Sequence, residues 1–218
     1  MEIKAMIFDL DGVLVFTDRF HYQAWKQVAE ERGIYFDEII NNRLRGVSRM
    51  ESLEIILERK SGPALSDREK EEMAEEKNEM YRALLKGMNP QDVTEEVRST
   101  LKALKDWGLK IAIGSSSKNA KYILERVALR DWFDAVSDGT NISRSKPDPE
   151  VFVKAAEDLG LSPADCAVVE DACAGIDAAK AGGMRAIGIG DAAGYEKADD
   201  RICRIQDLLA LVQRYGRE

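Results

Sequence analysis

Apolar positions follow two different rhythms along the chain. Short apolar runs at Ile3–Phe8, Lys110–Gly114, Cys166–Val169 and Met184–Ile189 are bounded by glycine or polar residues, with a shorter candidate at Phe133–Val136. Such runs predict strands buried on both faces, as in a parallel sheet. Between them the spacing turns helical. Thr94–Trp107 sets Val97, Leu101 and Leu104 on one face, Asn119–Val127 and Glu150–Leu159 repeat the pattern, and Ala172–Ala181 is a small-residue helix stopped by Gly182-Gly183. Alternating strand and helix predicts an α/β fold with right-handed crossovers. From Thr17 to Gly87 the alternation stops. Helices are predicted at Phe20–Arg32, Phe36–Arg43, Arg49–Lys60 and Ser66–Leu85, the last opened by a capping box, Ser66-Asp67-Arg68-Glu69. The expected organisation is an α/β core of residues 1–16 and 88–218 with a helical bundle, residues 17–87, inserted after the first strand.

Composition narrows the class. The 218 residues are 44% hydrophobic and 33% charged, with a formal charge of -8. An acidic chain is a poor match for nucleic acid. No run of about 18 apolar residues suggests a membrane span, and the N-terminus does not read as a signal peptide. Cys166, Cys173 and Cys203 have neither disulfide nor zinc spacing. A cytoplasmic monomer that acts on a small molecule is the expectation, and an anionic ligand would need local cations or a metal.

Ligands of an open α/β sheet bind beyond the C-terminal ends of its strands. Four segments deliver polar residues there: Asp9 and Asp11, Ser115–Ser117, Ser145-Lys146-Pro147, and Glu170-Asp171. Four gathered carboxylates repel one another unless a cation intervenes, and oxygen-only ligands suit Mg²⁺. Lys146 adds a second positive charge, and Ser115 with nearby backbone N–H groups offers a place for phosphate oxygens. The set is suited to phosphoryl transfer. Asp9, ionised at neutral pH, is the candidate nucleophile, and Asp11 the candidate general acid/base. Gly12 permits the turn that brings both side chains inward.

In order, Asp9-Leu10-Asp11-Gly12-Val13, Ser115, Ser145-Lys146-Pro147-Asp148-Pro149 and Glu170-Asp171-Ala172-Cys173-Ala174-Gly175-Ile176 resemble the four motifs of the haloacid-dehalogenase superfamily. The resemblance implies a Rossmann-like core with an inserted helical cap. Within the superfamily, the segments Thr17–Trp25, Leu44–Leu53, Lys77-Asn78 and Ser115–Asn119 are similar to the β-phosphoglucomutase family. By that resemblance Asp9 would form an aspartyl-phosphate and Asp11 would shuttle the proton of the sugar hydroxyl, with Thr17 and His21 assisting. Ser115 and Lys146 would hold the transferring phosphate, and Arg49, Ser117 and Asn119 the distal one. Trp25, Leu44, Gly46, Val47, Ser52, Lys77, Ser116 and Lys118 would complete the substrate surface. Asp9, the backbone carbonyl of Asp11, Glu170 and Asp171 would bind Mg²⁺. The implied reaction interconverts β-D-glucose 1-phosphate and glucose 6-phosphate through bound β-glucose 1,6-bisphosphate. The competing reading is a sugar-phosphate or polyol-phosphate phosphatase, which needs no distal phosphate holder. Phe16 and Ala172 depart from the pattern: relatives usually carry a small polar or acidic residue at the first position, and many carry serine at the second. Without the resemblance, His21 is an ordinary helix residue, Arg49 one of 32 basic residues, and Lys77 part of a solvated charge run.

Overall fold

A computed structural model describes residues 3–215. The chain divides into two compact units, one formed by Thr17–Met88 and the other by the segments on either side.

The core unit is built on a parallel sheet. Among the described residues its strands are β1 (Ala5–Phe8), β2 (Lys110–Gly114), β3 (Ala135–Ser137), β4 (Cys166–Glu170), β5 (Arg185–Gly188) and β6 (Asp200–Arg201). They lie in the order β3-β2-β1-β4-β5-β6. The first strand is therefore central, and all four of its residues are buried, which is what its unbroken apolar stretch demands. The chain leaves β1 toward β2 and β3, then crosses to β4 on the other side. That reversal is a topological switch point, where crevices open in such sheets. Register fixes what emerges there: Phe8 is level with Ile113 on β2 and Val169 on β4, so Asp9, Ser115 and Glu170 leave the same edge.

The helices of this unit are α5 (Glu95–Asp106), α6 (Ala120–Arg126), α7 (Glu150–Leu159), α8 (Cys173–Ala181) and α9 (Asp207–Tyr215). Phe152, Ala155 and Ala156 of α7 and Ile176, Ala178 and Ala179 of α8 pack on Ala5, Ile7, Ala112 and Val168. Small residues let these helices lie close to the strands. Two elements go beyond the sequence expectation. In α9, Leu208, Leu211, Val212 and Tyr215 are buried at helical spacing. The two polar residues of β6 carry no hydrophobic pattern and are held by pairing with Ile187 and Gly188.

The helical unit contains α1 (Asp18–Glu30), α2 (Glu38–Asn42), α3 (Arg49–Leu57) and α4 (Asp67–Leu85). Its own core joins Trp25, Val28, Phe36, Ile40, Leu53, Ile56 and Met73. The capping box at Ser66 and Glu69 is present, and Ser48 with Glu51 forms another at the start of α3. The second helix is shorter than its pattern suggests, because Asp37 caps it through the Ile40 N–H and leaves Phe36 outside, buried in the core. Among the described residues no helix is long and apolar enough to cross a membrane.

Candidate active site

At the central strand's end, Asp9 is buried and its N–H donates to the Val169 carbonyl. The chain then turns tightly: the Gly12 N–H donates to the Val15 carbonyl at 2.7 Å, and the N–H groups of Leu14 and Val15 return to Leu10. Gly12 sits at φ +86°, and a Cβ there would lie 2.1 Å from Asp171 Oδ2. Glycine is thus required by both conformation and space. On α8, a Cβ at Gly175 would meet Glu170 Cδ at 2.0 Å. The two missing side chains form a cradle that holds both carboxylates in place.

Lys146 reaches this cradle from the loop before α7, across a cis peptide bond to Pro147. Its side chain is only 2% exposed, and Nζ donates to Asp9 Oδ1 at 2.5 Å and to Glu170 Oε2 at 2.9 Å. The ammonium also lies 4.7 Å from the centre of the Phe152 ring. Glu170 Oε1 accepts from the Ala172 N–H at 3.1 Å. One carboxylate oxygen from each of Asp9, Glu170 and Asp171 lies within 4.8 Å of the other two.

The electrostatics follow from burial. Desolvation, then the charge of Asp9, push the Glu170 carboxyl up to about 8. Desolvation also raises Asp9, against the pull of Lys146. Ionisation of the candidate nucleophile therefore depends on the cations around it, and not on the ordinary acidity of an aspartate. Burial works against the Lys146 charge, but Asp9 and Glu170 outweigh it and raise its pKa. Three carboxyl groups share one ammonium, and burial of Asp9 and Glu170 opposes their ionisation unless a further cation joins them. A hard divalent cation bound by oxygen fits that donor set.

The segment after β2 forms a chain of serine turns. Ser115 N–H donates to the Ser137 carbonyl, Ser115 Oγ accepts from the Ser117 N–H at 3.2 Å, and Ser117 Oγ accepts from the Asn119 N–H at 3.1 Å. Each hydroxyl that accepts in this way still has its own proton to donate. Ser115 and Asn119 are buried, Lys118 is exposed, and Asn119 stands at the start of α6 without capping it through its side chain. Ser116 Oγ is buried with no hydrogen-bond partner. Behind this loop lies Asp138, a residue absent from the sequence expectation. It is fully buried, and its Oδ1 receives the Thr140 N–H and hydroxyl and Lys121 Nζ.

The helical unit has a polar cluster of its own. The buried Thr17 hydroxyl is 2.8 Å from the Tyr81 hydroxyl. Lys77 Nζ lies 2.7 Å from His21 Nδ1, over the rings of Trp25 at 5.1 Å and Tyr81 at 4.5 Å. Lys77 is 3% exposed, so its place in the charge run misleads: it turns inward while Glu71, Glu72 and Glu76 remain outside or half-buried. Arg49 opens α3, with Nη1 donating to Glu75 Oε2 at 3.1 Å, and burial lowers its pKa against that partner. Asn78 Nδ2 donates to the other Glu75 oxygen at 3.2 Å. Ser52 is buried on α3, whereas Leu44, Gly46 and Val47 are half-buried in the turns before it. Tyr81 and Glu75 escaped the sequence reading. Tyr81 follows Lys77 by one helical turn, a spacing that would have found it.

Residues 3–183 match the family model described as haloacid dehalogenase-like hydrolase. The chain is 43% identical to the β-phosphoglucomutase of Bacillus subtilis, covering 94% of this chain and 92% of that one. It is 33% identical to a phosphorylated carbohydrates phosphatase of Thermotoga maritima, with 85% and 84% covered. Among solved structures, the β-phosphoglucomutase of Clostridium difficile superposes with a TM-score of 0.91 at 37% identity, covering 99% of this chain and 98% of that one.

Proposed function

From the premise that the chain belongs to the haloacid dehalogenase-like hydrolase family and is a phosphoryl-transfer enzyme, we propose that it interconverts β-D-glucose 1-phosphate and glucose 6-phosphate. The observation that carries the chemistry is Lys146, buried between Asp9 and Glu170. It holds the Asp9 carboxylate in one orientation and places a fixed positive charge where a phosphoryl group would arrive. Asp9 attacks the 1-phosphorus of the bound 1,6-bisphosphate, and the bond to the sugar oxygen breaks to leave glucose 6-phosphate and an aspartyl-phosphate, which passes its phosphoryl group to the 6-hydroxyl of the next β-glucose 1-phosphate. Asp11, two residues on, gives the departing oxygen its proton and later takes one from the accepting hydroxyl. The Ser115 and Ser117 hydroxyls and adjacent N–H groups bind phosphate oxygens. Mg²⁺ would be held by Asp9, Glu170, Asp171 and the Asp11 carbonyl, and when bound it neutralises charge on the transferring phosphate.

A mutase handles a bisphosphate and so needs a holder for a second phosphate. Arg49, Ser117 and Asn119 are assigned that role, and Thr17, His21 and Lys77 that of orienting the sugar and its proton transfer. Identity of 43% with a β-phosphoglucomutase, against 33% and 31% with two phosphatases, supports this assignment over hydrolysis. Those phosphatases, the second the fructose-1-phosphate phosphatase of Escherichia coli, keep hydrolysis of a sugar phosphate as the second reading. A coupled assay with α- and β-glucose 1-phosphate, each with and without glucose 1,6-bisphosphate, separates them. Bisphosphate-dependent formation of glucose 6-phosphate from the β anomer alone is expected. Phosphate release from several sugar phosphates with no isomerisation would put the phosphatase in its place.

A further inference from the structure

Tyr81 belongs to none of the motifs behind the family resemblance, yet it touches Thr17, His21 and Lys77, which do. Its side chain is 1% exposed on α4. Its ring lies 4.0 Å from that of His21, tilted by 32°, and one of its faces receives Lys77 Nζ at 4.5 Å. Trp25 offers the same ammonium a second ring at 5.1 Å. Confined between rings, Lys77 Nζ approaches His21 Nδ1 at 2.7 Å. An ammonium can only donate, so Nδ1 must offer its lone pair, and the proton of the neutral ring lies on Nε2. The hydroxyl does a second job. Thr17 occupies the N-cap position of α1, where threonine ordinarily bonds the helix, but its side chain makes no cap bond and pairs with Tyr81 at 2.8 Å. A favoured local bond is given up for a tertiary one.

We propose that Tyr81 is a positioning residue: its ring holds Lys77 and His21 so that His21 presents an Nε2–H donor, and its hydroxyl ties that pair to Thr17. The polarity matters. An Nε2–H group can donate to a carboxylate or a sugar oxygen, whereas the other tautomer would present a lone pair to the same partner and repel it. What the donor does in the reaction rests on the mutase reading; which nitrogen carries the proton does not.

His21 is the only histidine, so a long-range ¹H–¹⁵N correlation spectrum of the labelled full chain contains a single imidazole. The expected spectrum has a pyridine-type Nδ1 and a pyrrole-type Nε2. Tyr81→Phe keeps the ring and should keep that pattern, while the isomerisation kcat falls about two- to tenfold, the worth of one hydrogen bond, with KM nearly unchanged. Tyr81→Leu removes the ring as well. It should let the tautomers mix and lower the ratio of isomerisation to phosphoenzyme hydrolysis about tenfold or more. Circular dichroism checks that each variant is folded, and if Tyr81→Leu is not, Tyr81→Phe and Lys77→Met carry the test, the latter expected to mix the tautomers too. A pyrrole-type Nδ1 or a doubly protonated ring in the wild type overturns the tautomer. A wild-type kcat and wild-type ratio in Tyr81→Phe overturn the positioning role of the hydroxyl. A wild type that never isomerises a sugar phosphate sinks the mutase reading instead, and the imidazole spectrum still judges the tautomer.

Discussion

Each unit buries a lysine, and the two are accommodated by different physics. Lys146 in the core lies between carboxylates, 2.5 Å from Asp9 and 2.9 Å from Glu170. Lys77 in the helical unit lies against an imidazole nitrogen and two aromatic faces. Ion pairing fixes the first in a field it helps to neutralise. Ring quadrupoles and an imidazole nitrogen favour the second. A charge among opposite charges is suited to reaction chemistry, where charge moves. A charge among rings is suited to holding geometry, because the ring faces that hold it are fixed by packing.

The largest expected effect removes the group that Lys146 serves. Asp9→Asn replaces the proposed nucleophile with an amide and should lower turnover at least about ten-thousand-fold, as loss of a covalent nucleophile does elsewhere. No acyl-phosphate should be trapped from labelled substrate. Substantial activity in this variant would end the covalent mechanism and leave Lys146 as a structural cation.

Chelation should come next. EDTA is expected to abolish isomerisation and Mg²⁺ to restore it, and full activity in chelator would remove the metal from the chemistry. The chelated protein should also show the charge imbalance of the core in its stability. Burial holds the Glu170 proton up to about 8, against 4.5 for an ordinary glutamate. Between those values the native state binds more protons than the unfolded chain, so stability should fall as pH rises across that window. Urea titrations at pH 5 and pH 8, with and without Mg²⁺, measure it. A flat or opposite dependence in EDTA would show that Lys146 compensates the cluster unaided.

The same substitution in each unit sharpens the contrast. Lys146→Met leaves Asp9 and Glu170 buried together without their cation and should destabilise the protein by about 3–5 kcal/mol. Lys77→Met keeps an apolar stem against Trp25 and Tyr81, and forfeits two cation–π contacts and one hydrogen bond, about 1–3 kcal/mol. Equal losses in chemical denaturation would mean that both lysines are held in the same way.

These lysines also mark how far the sequence could be read. Lys146 was legible because Ser145-Lys146-Pro147 punctuates a strand–helix alternation, so topology delivers it to the edge where Asp9 and Glu170 emerge. Lys77 was harder to read: it stands in Glu75-Glu76-Lys77-Asn78-Glu79, and composition gives no sign that this one charge turns inward. Only the packing of α1 along α4, which brings His21 and Trp25 over it, decides that. The strand β6 was illegible for a related reason. Asp200 and Arg201 have no apolar alternation, and Asp200 is fixed by Arg185 at 2.6 Å and the Tyr215 hydroxyl at 2.8 Å. Where burial of apolar surface decides a position, local pattern reports it. Where a polar group is buried by partners distant in sequence, it does not.

The smallest effect concerns Glu75, the partner of Arg49, a third cation intermediate between the two. The Arg49 guanidinium is partly buried, which lowers its pKa, and Glu75 is its carboxylate partner at 3.1 Å. Glu75 itself is largely exposed, so the pair is worth only about 0–1 kcal/mol and a phosphate can compete for the arginine. If Arg49 holds the non-reacting phosphate, that competition appears in KM. Glu75→Gln should lower KM for β-glucose 1-phosphate about two- to threefold, within the range of an exposed ion pair, and leave kcat nearly unchanged. Arg49→Ala should raise KM and reduce isomerisation far more than it affects hydrolysis of the phosphoenzyme. In the Arg49→Ala background the Glu75→Gln change should have no further effect, since the interaction it relieves is gone. Intact isomerisation in Arg49→Ala would make Arg49 a surface charge. A severe Arg49→Ala defect with an unaltered KM in Glu75→Gln would keep Arg49 as the phosphate holder and show that Glu75 does not compete with its ligand.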